Sequence, residues 1–236
     1  MALILYKAVY IPRITYGASI LYPSVATNAV KLKLESAQRR VLLTVTAGYK
    51  TVSTRALQVV AGTPPLYLQI EMAIRVSQGM PKHEAEYICI AEWQQLWDNS
   101  IKGRWTYGFF PDIRTRLSTP ITFGHYTTQL ITGHGDFQFK LHRFALTDSP
   151  QCSCGAEEDS AEHILYTCPN MLPQRSKLVE SLQLSGVEWS CDRKTFTTSR
   201  KAWSALESFA KEVLTSKEAQ RRQERLLQEE AVQDQP

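Results

Sequence analysis

Cys152, Cys154, His163 and Cys168 lie within one short run, CSCGAEEDSAEHILYTC. Three soft sulfurs and one imidazole complete a tetrahedral zinc set with no position left for water or substrate, so the chemistry they point to is structural. Asp159 or Ser160 can cap a helix that carries His163 on its first turn, and Pro169 stands just past Cys168, where that helix must end. Five residues are about 500° of helical rotation, so His163 and Cys168 converge only if the helix unwinds before Cys168. The competing account is incidental thiols beside a surface histidine. The CxC spacing is tighter than the CxxC of zinc ribbons, and Glu157, Glu158, Asp159 and Glu162 make the loop acidic. Such a loop repels phosphate, so the expected role is a staple for the fold. Cys89 and Cys191 stand apart and are expected to be buried or inert thiols.

Three further groups could carry chemistry. The segment KGRWTYGFFPDIRTR supplies Lys102, Arg104, Arg114 and Arg116 interleaved with Trp105 and other aromatics. Cations that pair phosphates beside rings that stack on bases suit nucleic acid; the alternative is a connector whose rings plug a groove between helical domains. His125, His134 and His142 with Asp136 surround the turn TGHGDF, but no nucleophile stands beside them, which favours a capped turn with a hydrogen-bonded histidine. Pro111-Asp112 with Asp192-Arg193-Lys194 matches the bare skeleton of a metal-dependent nuclease, a pattern that arises often by chance.

The elements that must position these groups are mainly α. The chain has 236 residues, 43% hydrophobic and 21% charged, which suits one large or two ordinary globular domains. No stretch reads as a signal peptide or membrane span, and an odd count of five cysteines favours reduced thiols over a disulfide framework. Residues 3–22 read as two short helical pieces or one helix kinked at Pro12 and ended by Pro23. From Ala26 to about Val45, apolar residues recur every three to four positions with Lys31, Lys33, Arg39 and Arg40 between them, an amphipathic helix with a basic outer face. Ser53 caps a helix that Gly62 stops, Pro64 and Pro65 start another to about Ser77, and a third runs from about His83 to Trp97 with Tyr87, Ile90, Trp93 and Trp97 on one side. Gly103, Gly108, Pro111 and Pro120 break the rhythm and place a connector at 101–120 between a first region, 1–100, and a second, 121–190, with a charged helical tail at 191–236. Short helices are expected near 121–131 and 137–146, then at 172–184, 195–214 and 216–232. The net charge of +4 divides into +7 over residues 1–80, 0 over 81–150 and −3 over 151–236. A basic third suits contact with a polyanion, or a solvated helix face.

Several motifs agree in order with one known family. The stretch from Tyr6 to Pro23 (PRITYGAS within it), RRVLLTVTAGYKTVSTRALQVVAGTPPL from Arg39 to Leu66, KGRWTYGFFPDIRTRL, QLITGHGDF and CSCG with AEHILYTC together resemble the carboxyl end of the Pol polyprotein of non-LTR retrotransposons, and within these the type-1 elements that insert into ribosomal RNA genes. The resemblance implies that residues 1–100 end a reverse transcriptase in a helical thumb and that 121–190 form a CCHC zinc-knuckle region with Cys152, Cys154, His163 and Cys168 as ligands. It further implies RNA and DNA as partners, namely template-primer duplex faced by Lys31, Lys33, Arg39 and Arg40 and target DNA, in target-primed reverse transcription in the nucleus at the site of integration. Magnesium would serve only the polymerase and endonuclease parts upstream. The chain has no Asp-Asp pair of the kind that holds polymerase metals, so catalysis is not expected of it alone. The alternatives are a nuclease through Asp112 and Asp192, or a zinc-stapled interaction module presenting Trp189, Phe196, Trp203 and Phe209.

Overall fold

The computed structural model describes residues 2–17, 27–119, 121 and 123–233, and every regular element among them is helical. The chain starts with α1 (Ala2–Leu5), a π turn over Tyr6–Tyr10 and α2 (Ile11–Tyr16). Pro12 lacks an N–H and its ring crowds the carbonyl four residues earlier, and the wider π turn sits just ahead of it. The expected stop at Pro23 falls outside the described residues. Next come α3 (Asn28–Thr46), α4 (Thr54–Ala61), α5 (Leu66–Ser77) and α6 (Lys82–Asp98). The local signals act as expected: Ser53 Oγ accepts from the Ala56 N–H, and Gly62, at φ 59°, closes α4 in the left-handed region where a side chain is disfavoured.

One face of α6 differs from expectation. Its buried residues are Ala85, Cys89, Trp93 and Trp97, a strict i, i+4 row, whereas Tyr87 is 61% exposed. The row is set by the two tryptophans, and carrying it back in steps of four gives the small residues that let α5 pack close.

Residues 101–120 form α7 (Arg104–Phe109) and α8 (Ile113–Ser118), and their aromatics enter the core. Phe110 lies 5.9 Å from Trp203 between ring centroids, Phe109 lies 6.2 Å from Phe196, and the Trp97 indole donates to the Phe110 carbonyl at 2.7 Å. A single hydrophobic cluster therefore runs from Leu42 to Leu214. Beyond the connector come α9 (His125–Thr132), α10 (Gln138–Arg143), α11 (Ala161–Tyr166), α12 (Leu172–Gln183) and α13 (Arg200–Gln233). The two helices expected at 195–214 and 216–232 are one, because Thr215 and Ser216 contain neither Gly nor Pro to interrupt it. Phe196, Trp203 and Phe209 are buried and Trp189 is half-buried against Phe196, so the aromatic faces that suggested an interaction module are spent inside the fold. Among the described residues no helix is long and apolar enough to cross a membrane.

Gln38, fully buried on α3, ties the first region together. Its amide NH2 donates to the Pro64 carbonyl at 2.8 Å and the Tyr6 hydroxyl at 2.9 Å, while its carbonyl accepts from Gln58 at 2.8 Å and the Leu66 N–H at 3.0 Å. Replacing it with leucine strands several buried donors and acceptors at once. Gln38→Leu is expected to lower the unfolding free energy by about 3 kcal/mol in urea titration, against less than about 0.5 kcal/mol for Lys33→Ala on the exposed face.

Candidate metal centre and basic cleft

The four sulfur and nitrogen ligand atoms of Cys152, Cys154, His163 and Cys168 lie within 4.8 Å of one another. Ser160 is the N-cap of α11 and accepts from the His163 N–H at 3.2 Å. The helix ends at Tyr166, and Thr167 turns out of it, which lets Cys168 swing back toward His163. Its N–H donates to the His163 carbonyl at 2.8 Å, while Arg175 donates to the Cys168 carbonyl at 2.8 Å and holds the exit in place. On the other side, the Cys152 N–H donates to the Ala156 carbonyl at 3.0 Å, folding the CxC turn so that both sulfurs face inward.

The donor set fits a tetrahedral metal. Two thiolates each about 2.3 Å from a shared zinc are separated by about 3.8 Å, and Cys152 Sγ lies 3.7 Å from Cys168 Sγ. His163 Nε2 faces Cys154 Sγ at 3.2 Å, and its Nδ1 meets the Thr167 hydroxyl at 2.9 Å, the outer contact that fixes a ligand ring. Burial favours the neutral imidazole of His163, the form that binds metal. Burial also holds the Cys152 thiol well above its ordinary range, so a cation is the agent that would ionise it. Asp159, 1% exposed, does not cap α11; it accepts from the Gln138 N–H at 2.9 Å and pairs with Lys217 of α13 at 2.6 Å.

Asp112 and Asp192 do not build a second centre. Asp112 caps α8 by accepting from the Thr115 N–H at 2.6 Å, and Asp192 caps the short turn Arg193–Thr197. Among the described residues, the Cys–His cluster is where three or more metal-competent side chains meet. The histidines likewise keep separate partners: His142 Nδ1 meets the Thr147 carbonyl, His125 Nδ1 the Ala47 carbonyl and His134 Nδ1 the Thr51 hydroxyl, while Asp136 pairs with Arg221. The turn itself is tight because a side chain at Gly135 would run into Gln129, whose side-chain amide oxygen accepts from the Asp136 N–H at 3.0 Å.

The basic residues divide sharply. Lys31, Arg39 and Lys102 line one open cleft of about 1240 Å³, together with Arg55, Lys140 and Arg143, which the sequence pattern did not single out. Lys33 and Arg40 are exposed on α3 but do not line it. Arg104 lies 3.7 Å from the Tyr107 ring centroid and donates to the Trp97 carbonyl, and Arg114 sits over Tyr87 at 4.6 Å. The Trp105 indole donates to the Leu130 carbonyl at 2.7 Å, with Arg193 over its ring. Arg116 is 7% exposed and turned inward; it donates to the Val60 carbonyl at 2.6 Å, so it presents no charge to a ligand.

His134 reports the field at one end of the cleft. Burial, then the charges of Lys140, Arg143 and Arg39, lowers its pKa to about 4. The unfolded chain, with histidine near 6.5, binds the proton more readily between those values, so stability must rise with pH across that window. Unfolding free energy is expected to fall on acidification from pH 6.5 to 4, by at most about 1.4 kcal/mol per pH unit from this residue. His134→Gln should flatten that part of the profile in urea titrations at successive pH values.

The chain has clear relatives. It is 31% identical over 210 residues to the putative 115 kDa protein in type-1 retrotransposable element R1DM of Drosophila melanogaster, a match covering 78% of this chain and 21% of that protein. It is 27% identical over 231 residues to a retrovirus-related Pol polyprotein from type-1 retrotransposable element R1 4 of Nasonia vitripennis, covering 88% and 58%. A Pol polyprotein of the R1 element of Bradysia coprophila is 30% identical over 190 residues, covering 70% and 19%. The chain thus spans between about a fifth and three fifths of the length of these relatives. No family model matches it, and no solved structure does.

Proposed function

This chain belongs with the Pol polyproteins of type-1 R1 retrotransposable elements, and on that premise we propose that it is a nucleic-acid-holding, carboxyl-terminal part of such a polyprotein. It grips RNA and DNA during target-primed reverse transcription in the nucleus, and a structural zinc in the CCHC cluster staples its second region. Residues 1–100 act as the thumb. Polymerisation and target cleavage belong to other parts of the polyprotein, since this chain has no adjacent pair of aspartates.

The observation that carries this reading is the cleft in which cations from three separate parts of the chain meet: Lys31, Arg39 and Arg55 from α3 and α4, Lys102 from the connector, and Lys140 and Arg143 from α10. Residues this far apart in sequence converge on one concave surface with a surplus of positive charge, which is what a phosphate backbone selects. The Cys–His cluster, which does not line this surface, serves as a staple. Zinc there would supply folding energy to a loop that has few apolar residues of its own, while Thr167, Arg175 and Ser160 hold the ligands in position.

Two measurements test it. Protein purified without added metal is expected to hold one zinc per chain, lost in both Cys152→Ser and Cys168→Ser with a lower melting temperature; a folded chain free of zinc would remove the staple. Binding to template-primer duplex or single strands is expected to weaken with salt, with a log–log slope between about −2 and −5 for three to six phosphate contacts. A flat salt response from folded protein would overturn the nucleic-acid reading.

A further inference from the structure

The cations of the cleft are not alike, and the difference says what form of nucleic acid it takes; this inference rests on the nucleic-acid reading above. Part of the charge is neutralised within the fold. Lys31 pairs with Glu71 at 3.2 Å, and Glu92 is engaged by Arg75 at 2.7 Å. Lys102, Lys140 and Arg143, which line the same cleft, make no ion pair among the described residues. Burial, then the charge of Arg143, lowers the pKa of Lys140, and burial, then the charges of Lys140, Arg143 and Arg39, keeps His134 neutral. Cations with no carboxylate paired to them, two of them beside a neutral imidazole, make a seat for anions.

The same cleft carries apolar side chains in the open. Phe144 is 45% exposed and Ile101 is 90% exposed, and both line the cleft beside Arg143 and Lys102 respectively. Phe144 is not on a loose loop. Its N–H donates to the Leu141 carbonyl at 3.0 Å, the Ala145 N–H donates to His142 at 2.9 Å with Ala145 left-handed at φ 54°, and the Leu146 N–H returns to Leu141 at 2.9 Å. Three hydrogen bonds thus close α10 and fix the backbone from which the ring projects.

A duplex shows a protein its phosphates and sugars and hides the faces of its bases in the stack. An exposed ring gains nothing from that surface, whereas an unpaired base offers it a face. We propose that the cleft holds a single-stranded segment of nucleic acid, with phosphates on Lys102, Lys140 and Arg143 and an unpaired base stacked on Phe144. The stack does not depend on the sugar, so single-stranded RNA and DNA both qualify.

The test uses the full chain and fluorescence anisotropy with oligonucleotides of about 12 nucleotides, as RNA, as DNA, and as the matching duplex, at one salt concentration. Single strands are expected to bind at least about tenfold tighter than duplex. Phe144→Ala is expected to weaken single-strand binding by about tenfold and leave duplex binding unchanged. Lys140→Ala with Arg143→Ala should weaken both and reduce the single-strand salt slope by about 1.4. Both sites are at the surface, and circular dichroism melting confirms the fold of each variant. Equal or tighter binding of duplex, or single-strand binding untouched by Phe144→Ala, would overturn this inference and leave the broader nucleic-acid reading standing. A polyglutamate probe bound as tightly as the oligonucleotides would also overturn it by assigning the patch to acidic polypeptide. No salt-dependent binding of any nucleic acid would bring down the broader reading as well.

Discussion

The insertion of α7 and α8 into the core is the constraint on which the rest depends, and Arg116 is its most costly part. A guanidinium at 7% exposure, with no carboxylate beside it among the described residues, should be expelled from an apolar interior. Three groups offset that cost. The Val60 carbonyl, in the last turn of α4, is one of the acceptors a helix leaves unpaired at its negative end, and the Phe110 and Phe123 rings lie 5.5 and 4.9 Å from the guanidinium carbon. Desolvation still lowers the Arg116 pKa, to about 10, so the side chain stays charged at neutral pH. In return, the segment is bound to both α4 and the aromatic cluster of α13, and the two sides of the cleft are fixed against each other.

A second set of buried charges performs the same task beside the Cys–His cluster. Asp136 and Asp159 flank α10 and are 4% and 1% exposed, and each meets a cation one helical turn apart on α13, Arg221 and Lys217. Removing either cation would leave a carboxylate stranded, a larger penalty than the pair's own attraction. The long helix that the sequence pattern divides in two must therefore continue past Ser216, because the residues that clamp Asp136 and Asp159 lie beyond that point. Tyr126, whose hydroxyl donates to Glu218 at 3.0 Å, extends the clamp to α9.

What could be read in the sequence was local, and what escaped it was not. Ser53, Gly62, Pro65 and Ser160 act within a few residues of where they stand, so their turns and caps follow from residue type. The Cys–His cluster was legible for the same reason: its ligands are close in sequence and nothing else in the chain matches their spacing. The buried row of α6 differs from the expected one because Tyr87 and Ile90 lie in three-residue steps back from Trp93, while the helix buries the four-residue step through Cys89 and Ala85 that Trp93 and Trp97 set. The aromatic connector had two readings, and residue type alone could not separate them, since a ring that plugs a groove and a ring that stacks on a base have the same composition.

Charge was the least faithful guide to the cleft. The first 80 residues carry an excess of +7, yet Lys31 is paired with Glu71, Arg39 donates to the Thr54 hydroxyl and Lys50 carbonyl, and Lys33 and Arg40 do not line the cleft. The cations that make no ion pair among the described residues, Lys102, Lys140 and Arg143, come from a stretch of zero net charge. A count along the chain sums charges that never meet, whereas a ligand feels only those the fold brings within about a Debye length, 8–10 Å at ordinary salt, and leaves unneutralised. Of the carboxylates in the middle stretch, only Glu92 lines the cleft, and it is engaged by Arg75; Asp112 caps α8 and Asp136 pairs with Arg221. The fold, by keeping most of these carboxylates out of the cleft, turns a neutral stretch of sequence into a source of its positive charge.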